Sequence, residues 1–411
     1  MRPPSRRPRH VRIVLALALA LAISIAGAGA ASARVPESPR GTPRWVARID
    51  HLVAGRRVSV TVGFDGDFLY RHQATAPRIP ASNEKLLLSM ALFDRLGPSL
   101  QVPTIVSAET APDADGVIAG TLWILGRGDP EVDRGTIAAL ARDVRAAGVT
   151  EIHGRVKGST GYFARDWSAV GWKAHFRRDE VPFPTALTFH GNVGPGGGHI
   201  SHPERRGAAA LRTRLRRIGI RVTGTPGAAR APTGLVPVAS ENSDVLKAIV
   251  RRMDVDSLNF HAEVLGKLLA RLTAGPPATI ARGAAAIEAF EHDHGVDTFV
   301  HHDSSGLSYA NRVRTNGIVR LLWAADRTTW GPVLRMALPR GGQGTLEDRL
   351  RDVKIRAKTG TLDGVSALSG WVWLDDRDAW GQFSILSRGL TKDAAVRIED
   401  AIVHTVSKNA G

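Results

Sequence analysis

The sequence predicts an α/β domain, with an antiparallel sheet and a helical region, that is interrupted by an inserted α+β module. Three observations predict this architecture. A strand-turn-strand pattern lies near residue 60. From about residue 101, short strand patterns alternate with helical patterns and Gly/Pro-rich loops. Long amphipathic helical patterns return from about residue 240, and paired strands and a last helix follow them. The two outer parts of the chain are therefore expected to fold together.

The first part of this domain is predicted as a β-hairpin followed by a helix. Residues 57–62 alternate in polarity, Asp65-Gly66 is a turn signal, and an apolar run resumes at residue 68. The helix that follows has an apolar face, Ser82 or Asn83 can cap its start, and Gly97-Pro98 ends it.

The middle of the chain is predicted as the insertion. Short strand patterns there alternate with helical ones and with Gly/Pro-rich loops, of which 194–198 is the richest in glycine. We therefore assign residues 34–100 and 235–411 to one domain and residues 101–234 to the inserted domain.

The first 33 residues are predicted to be a signal peptide. Five arginines precede an apolar run at 13–26, and Ala31-Ser32-Ala33 offers a cleavage site. The run is shorter than the about 20 residues that span a bilayer, although an uncleaved N-terminal anchor is the alternative. We expect a secreted, extracytoplasmic protein that is associated with the cell wall and has no stable membrane span after cleavage.

Composition narrows the classes of function. The 411 residues are 43% hydrophobic and 23% charged, which suits a folded protein with a full core. The absence of cysteine excludes disulfides and thiol catalysis. The net charge of +16 suits a polyanionic partner, but basic residues do not interleave with aromatic ones as in nucleic-acid binders. We expect no nucleic acid; an anionic wall polymer is the natural counterpart, and surface arginines that only keep the protein soluble are the alternative.

Ser82-Asn83-Glu84-Lys85 is the first candidate catalytic element. Positions i and i+3 share one face of a helix, so the lysine amine can take the proton of the serine hydroxyl. Burial of the lysine favours its neutral form, and N–H groups at a helix start stabilise an oxyanion. The alternative is a capping serine beside a surface lysine, but the apolar neighbours of Lys85 indicate a buried helix.

Lys358-Thr359-Gly360 is the second element and is predicted to lie on a strand. A lysine and a threonine hydroxyl at a cleft edge can bind a substrate carboxylate, and a glycine allows another chain segment to approach the strand closely. The N–H of Thr361 can share an oxyanion hole with that of Ser82. The alternative is an ordinary basic strand end.

A Ser-x-Asn element completes the set, and the chain offers three of them: Ser240-Glu241-Asn242, Ser257-Leu258-Asn259 and Ser407-Lys408-Asn409. Spacing alone does not choose among them. Ser407 lies in the terminal tail, where a rigid site is not expected, and Ser240 lies in a loop. We choose Ser257 and Asn259 because a short connection between two amphipathic helices can hold both side chains in a cleft.

The three elements together are the set found in β-lactamases and penicillin-binding proteins. The chain resembles the low-molecular-mass class C penicillin-binding proteins, the D-alanyl-D-alanine carboxypeptidase/endopeptidase family. Further segments match that family in order along the chain: Pro80-Ala81-Ser82-Asn83, Leu125-Gly126-x-Gly128-Asp129-Pro130, Met253 with Ala262 and Glu263, Asp303-Ser304-Ser305-Gly306-Leu307-Ser308 with Asn311-Arg312, Gly344-Thr345-Leu346 and Leu368-Ser369-Gly370. Leu258 departs from the polar residue, commonly aspartate, that is usual there.

The resemblance implies a β-lactamase/transpeptidase-like serine acyl-enzyme domain that acts on peptidoglycan peptides. Ser82 would be the nucleophile, Lys85 its base and Ser257 a proton relay. The substrate would be held by Asn259, Lys358, Thr359, Gly360 and Thr361. We expect β-lactam antibiotics to inhibit covalently, and we expect neither a metal nor a cofactor. The alternatives are a β-lactamase or esterase and a wall-binding protein that has lost catalysis.

Overall fold

The computed structural model describes residues 42–410, so the predicted signal peptide at 1–33 lies outside the described residues. Within 42–410, no helix has the length and apolar character needed to cross a membrane. The strands are β1 (Val58–Phe64), β2 (Asp67–His72), β3 (Pro103–Ala108), β4 (Val117–Ile118), β5 (Leu122–Leu125), β6 (Glu151–Ile152), β7 (Val156–Ser159), β8 (Arg221–Val222), β9 (Gly227–Ala229), β10 (Val236–Asn242), β11 (Ile355–Leu362), β12 (Val365–Leu374) and β13 (Ala379–Arg388). The helices are α1 (Arg44–Val53), α2 (Glu84–Leu96), α3 (Arg134–Ala146), α4 (Phe176–Asp179), α5 (Pro203–Arg217), α6 (Leu246–Val255), α7 (Asn259–Ala274), α8 (Ile280–Asp293), α9 (Thr315–Asp326), α10 (Gly331–Ala337) and α11 (Lys392–Asn409).

An antiparallel sheet joins the two outer parts of the chain. Its strand order is β11-β12-β13-β1-β2, so the predicted N-terminal hairpin pairs with the C-terminal strands through β1 and β13. On one face, α1 and α11 close a core that includes Ile49, Val60 and Ile402. The predicted α/β architecture, with an antiparallel sheet and helices, is confirmed.

The other face of the sheet meets the helical region, and α2 lies in its middle. Every residue from 84 to 93 is buried, including Glu84, Lys85 and Ser89. A helix that is buried all round is a central core helix rather than a surface one. Lys85 is therefore held away from solvent by the same packing that stabilises the domain.

The inserted module has a core of its own. A five-stranded sheet of order β10-β3-β5-β7-β9 and a three-stranded sheet of order β4-β6-β8 carry α3 and α5, whose Leu140 and Leu211 are fully buried. The predicted boundary at 234 does not follow this sheet, because β10 pairs with β3, with Glu241 opposite Thr104. Pairing of β10 covers the backbone groups along that side of β3, so the insertion extends to Asn242.

Candidate active site

Ser82 lies on a single 3₁₀ turn, Ala81–Asn83, that leads into α2. Neither Ser82 nor Asn83 caps the helix with its side chain, so the predicted cap is wrong. The Asn83 amide instead donates to the backbone oxygen of Lys358 at 2.8 Å. Ala81 has a φ of +46°, and a side chain on Gly306 would begin 1.9 Å from the Ala81 oxygen. The left-handed backbone before Ser82 and the close approach of Gly306 therefore fix the position of the serine.

Lys85 Nζ has three partners. It lies 3.0 Å from Ser82 Oγ, 2.7 Å from Asn259 Oδ1 and 2.6 Å from the backbone oxygen of Ser305. A neutral amine has two N–H groups and one lone pair. Because the amide oxygen of Asn259 and the carbonyl of Ser305 can only accept, they take both N–H groups, and the lone pair faces the hydroxyl of Ser82. The geometry is that of a base aimed at a nucleophile.

The electrostatics of Lys85 agree with this geometry. Burial lowers the pKa of Lys85 from 10.5 to about 8, although the charges of Asp303 and Glu263 oppose the shift. The neutral form is then present in quantity near neutral pH.

Ser257 and Asn259 lie at the junction of α6 and α7. Ser257 adopts a left-handed φ of +56°, and its Oγ accepts from Lys358 Nζ at 3.0 Å. Asn259 is the first residue of α7 and donates from Nδ2 to Glu180 Oε2 at 3.2 Å. The side chain of Leu258, which lies between them, has no group that forms a hydrogen bond. The backbone N–H of Leu258 donates to the oxygen of Met253 at 3.0 Å. A backbone bond therefore holds the turn at this atypical position.

The other two Ser-x-Asn elements lie elsewhere. Ser240 lies on β10 opposite Ile105 in the inserted sheet. Ser407 lies on α11, where its hydroxyl donates to the backbone oxygen of Trp373 at 2.9 Å. Of the three serines, only Ser257 is brought to the cleft that Ser82 lines.

The Lys358-Thr359-Gly360 element lies on β11, directly beside Ser82. A side chain on Gly360 would begin 2.8 Å from the Pro80 oxygen and 2.9 Å from Ser82 N, which explains the glycine. Side chains alternate along a strand, so Thr359 and Thr361 project to the same side and Lys358 to the other. Thr361 is one of the residues that line the cleft. Thr359 is buried, with 8% of its surface exposed.

Lys358 is fully buried beside a second buried charge, Asp254. Burial and the charge of Lys85 lower the pKa of Lys358 from 10.5 to about 7, and Asp254 opposes the shift. Burial raises the pKa of Asp254 from 3.8 to about 7. Its Oδ2 accepts from the Ser89 hydroxyl at 2.8 Å, and its Oδ1 has no hydrogen-bond partner among the described residues. The charges of the two lysines and of this aspartate therefore act on one another's pKa values beneath the cleft.

A loop at 303–308 carries the carbonyl that binds Lys85. The Asp303 carboxylate is fully buried and accepts from the backbone N–H groups of Gly306 at 3.1 Å and Ser308 at 2.9 Å. It also accepts from Asn311 Nδ2 at 2.8 Å and from Trp172 Nε1 at 2.7 Å. Asp303 therefore holds the loop in the shape that directs the Ser305 oxygen toward Lys85.

The histidine preceding this loop pairs with carboxylates. His301 is fully buried, with Nδ1 2.6 Å from Glu84 and Nε2 2.8 Å from Glu291. These contacts link the first turn of α2 to α8. His301 and Asp303 therefore support α2 and the loop beside it.

One wall of the cleft comes from residues that the sequence assigned to the insertion. Lys173, His175 and Glu180 line a cleft of about 550 Å³ together with Ser82 and Ser257. The N–H of Tyr309 donates to the Gly171 oxygen at 3.1 Å, and Lys173 pairs with Asp363 of the β11–β12 turn. The buried Lys267 of α7 donates to Asp166 at 2.6 Å and secures the start of this segment. The segment therefore packs on the catalytic domain.

Sequence reasoning missed Glu180, Asp254, Trp172 and the carbonyl of Ser305. The family segment at 303–308 pointed to the loop but not to its contact with Lys85. Asp254 lies three residues before Ser257, and a lone aspartate in an amphipathic helix carries no signal of its own. Glu180 reaches the cleft, and Trp172 reaches Asp303, only through tertiary folding.

Comparisons with known proteins agree with the fold and with the family resemblance. The model of the D-Ala-D-Ala carboxypeptidase 3 (S13) family matches residues 49–193 and 197–409. The D-alanyl-D-alanine carboxypeptidase of Actinomadura sp. (strain R39) is 29% identical, over 84% of this chain and 80% of its own. Penicillin binding protein 4 of Haemophilus influenzae has a TM-score of 0.77 at 19% identity, over 88% of this chain and 99% of its own. The same protein in complex with a novel β-lactam has a TM-score of 0.73 at 18% identity, over the same shares of both chains.

The family model covers most of the chain, including each motif that carries the resemblance. The recognition made from the sequence, the fold class and the assignment as a serine-type carboxypeptidase, a hydrolase, are confirmed. The chain belongs to the D-Ala-D-Ala carboxypeptidase 3 (S13) family.

Proposed function

We propose that the chain removes the terminal D-alanine of peptidoglycan stem peptides through an acyl-enzyme on Ser82. The observation that carries this proposal is the geometry of Lys85, whose N–H groups are taken by Asn259 and Ser305 while its lone pair faces Ser82 Oγ at 3.0 Å. Ser82 Oγ attacks the carbonyl carbon between the two D-alanines as its proton passes to Lys85. The N–H groups of Ser82 and Thr361 stabilise the oxyanion.

Collapse of the tetrahedral intermediate releases D-alanine. Ser257 relays a proton: it gives its own to the departing amine and regains one from the protonated Lys85, so the proton taken from Ser82 is returned. Its contact with Lys358 at 3.0 Å supports this role, because the cation favours loss of the serine proton. Asn259 orients Lys85 and holds the substrate amide. Lys358 provides positive charge for the terminal carboxylate, and the hydroxyls of Thr359 and Thr361 donate to it. Water then hydrolyses the acyl-enzyme.

We expect β-lactams to acylate Ser82 and to leave slowly. The solved complex of the structurally similar Haemophilus influenzae protein with a novel β-lactam supports binding of a β-lactam to this fold. Cleavage of cross-links, an endopeptidase activity, is a second activity that this cleft would support, since it is open to solvent and about 550 Å³ in volume. We place the mature protein outside the cytoplasm, at the wall.

Digestion of purified peptidoglycan with separation of the products by mass tests the proposal. Loss of one D-alanine from pentapeptides is the expected product, and conversion of cross-linked dimers to monomers would add the endopeptidase activity. The matched control is Lys85→Met, which keeps the length of the side chain and removes the base. An unchanged digest with the wild-type protein would favour a wall-binding protein, and rapid turnover of penicillin would favour a β-lactamase.

A further inference from the structure

A second groove lies on the inserted module, between α3 and α5. Its volume is about 630 Å³, and none of its lining residues lines the catalytic cleft. The residues that line it are Arg134, Ile137, Ala138, Phe189, Arg206, Ala209, Ala210, Thr213, Arg214 and Arg217. Its floor is therefore made of small and apolar side chains, and its rims carry four arginines.

The arginines of α5 lie over the groove because of their spacing. Arg206 and Arg217 are eleven residues apart, and at about 100° per residue they lie on one stripe of the helix, with Arg214 beside it. Leu211 and Leu215 face the core on the opposite side. Arg134, in the first turn of α3, faces them from across the groove. Four cations therefore surround one depression.

These four guanidinium groups have no acidic partner within residues 42–410. The neighbouring carboxylates have other partners. Glu204 pairs with Arg165 at 2.8 Å, and Asp133 caps α3 by accepting from Thr136 N at 3.0 Å. Arg214 Nε is shielded from solvent and has no hydrogen-bond partner among the described residues. Unpaired like charges around one depression repel one another, and an anion between them removes that repulsion.

The shape and donors of the groove select the class of anion. Guanidinium groups bind phosphate oxygens through paired N–H donors. Phosphates repeated along a linear chain match arginines spread along a helix of 15 residues, and the alanines of the floor leave room for an extended chain. Arg206 is held for this role, since it donates to the Val193 oxygen at 2.6 Å and stacks on Phe189.

We propose that the α3–α5 groove binds a linear phosphodiester polymer of the cell wall, of the polyol phosphate type. The inserted module then holds the enzyme on the wall, while the catalytic cleft acts on the peptides. This binding is independent of the chemistry at Ser82.

Charge reversal on two flanks of the same helix tests the proposal. The groove variant is Arg206→Glu with Arg217→Glu. The control is Arg205→Glu with Arg216→Glu, which makes the same change of net charge on the same helix at exposed positions outside the groove. Both are made in the full chain. The probes are purified walls, the same walls after hydrofluoric acid has removed phosphodiester polymers, and soluble poly(glycerol phosphate).

The wild-type protein is expected to bind untreated walls and poly(glycerol phosphate), with lower affinity at higher salt, and to bind stripped walls weakly. The groove variant should raise the Kd for the polymer by about tenfold or more, and the control by about threefold or less. Both variants should release D-alanine from a small soluble peptide at the wild-type rate, which separates this proposal from the catalytic one.

Equal losses in the two variants would overturn the proposal, since general charge would then explain binding. Undiminished binding to stripped walls would also overturn it. If the groove variant loses binding to phosphatidylglycerol vesicles but not to the polymer, the groove is a headgroup site and the proposal is wrong. Should the charge reversal lower the melting temperature, Arg206→Gln with Arg217→Gln gives the same comparison with no new charge.

Discussion

The pH dependence of acylation follows from the two buried lysines of the cleft. The reactive form requires a neutral Lys85 to accept the serine proton and a charged Lys358 to attract the carboxylate. With a pKa of about 8 for Lys85 and about 7 for Lys358, the acylation rate should rise and then fall, with its maximum between pH 7 and 8.

The magnitude follows from the same values. Near pH 7.5 a lysine with a pKa of about 8 is neutral in about 24% of molecules, whereas at the usual 10.5 it is neutral in about 0.1%. Burial therefore increases the available base by about 240-fold. Below about pH 6 the rate should fall about tenfold for each unit of pH.

The assay is the rate of labelling by a fluorescent penicillin between pH 5 and pH 10, with folding checked at each pH by circular dichroism. Asp254→Asn removes a buried negative charge that raises the pKa of both lysines, so the maximum should move to lower pH by about one unit. Asp256→Asn is the matched control, because this aspartate is exposed and two residues away. A flat profile, a rise that continues to pH 10, or equal shifts in the two variants would show that the two lysines do not set the pH dependence.

Three further predictions concern contacts around the cleft. Trp172→Phe removes the N–H that donates to Asp303 at 2.7 Å, and it should lower the unfolding free energy by about 1–2 kcal/mol and also lower the acylation rate. The control Trp323→Phe loses a bond of the same length to Gln382 and should lower the unfolding free energy without changing the acylation rate. Gly360→Ala should slow acylation at least about tenfold, because its Cβ would begin 2.9 Å from Ser82 N. The control Gly207→Ala, whose Cβ would begin 3.6 Å from the side chain of Leu187, should leave the labelling rate unchanged. Thr361→Val should raise KM for a peptide acid about tenfold and leave KM for the corresponding C-terminal amide nearly unchanged; equal effects on both would exclude a role in carboxylate binding.

The elements whose sequence carries a local period were predicted well. The hairpin of β1 and β2, the helices α6 to α8 and the closing helix α11 all occur where their patterns indicated. The strand β11 holds Lys358-Thr359-Gly360, as predicted, and continues to Leu362 as the pairing partner of β12. The short strands β4, β6 and β8 hold two residues each and pair across long sequence separations, which no local pattern records.

The residues that meet around Ser82 could be predicted because their types and their order along the chain are specific. The contacts that tune them could not. Glu180 meets Asn259 from 79 residues away, and Ser305 meets Lys85 from 220 residues away, so both depend on how the insertion returns to the domain. The pKa of Lys85 likewise results from burial of α2 on all sides, which is a property of the assembled core.

The site of covalent labelling shows directly whether Ser82 is the nucleophile. The full chain is incubated with penicillin, digested, and its peptides are identified by mass. The expected result is one adduct, on the peptide that contains Ser82. It should be absent from Ser82→Ala and form much more slowly in Lys85→Met. An adduct on any other residue, or one that persists in Ser82→Ala, would contradict it.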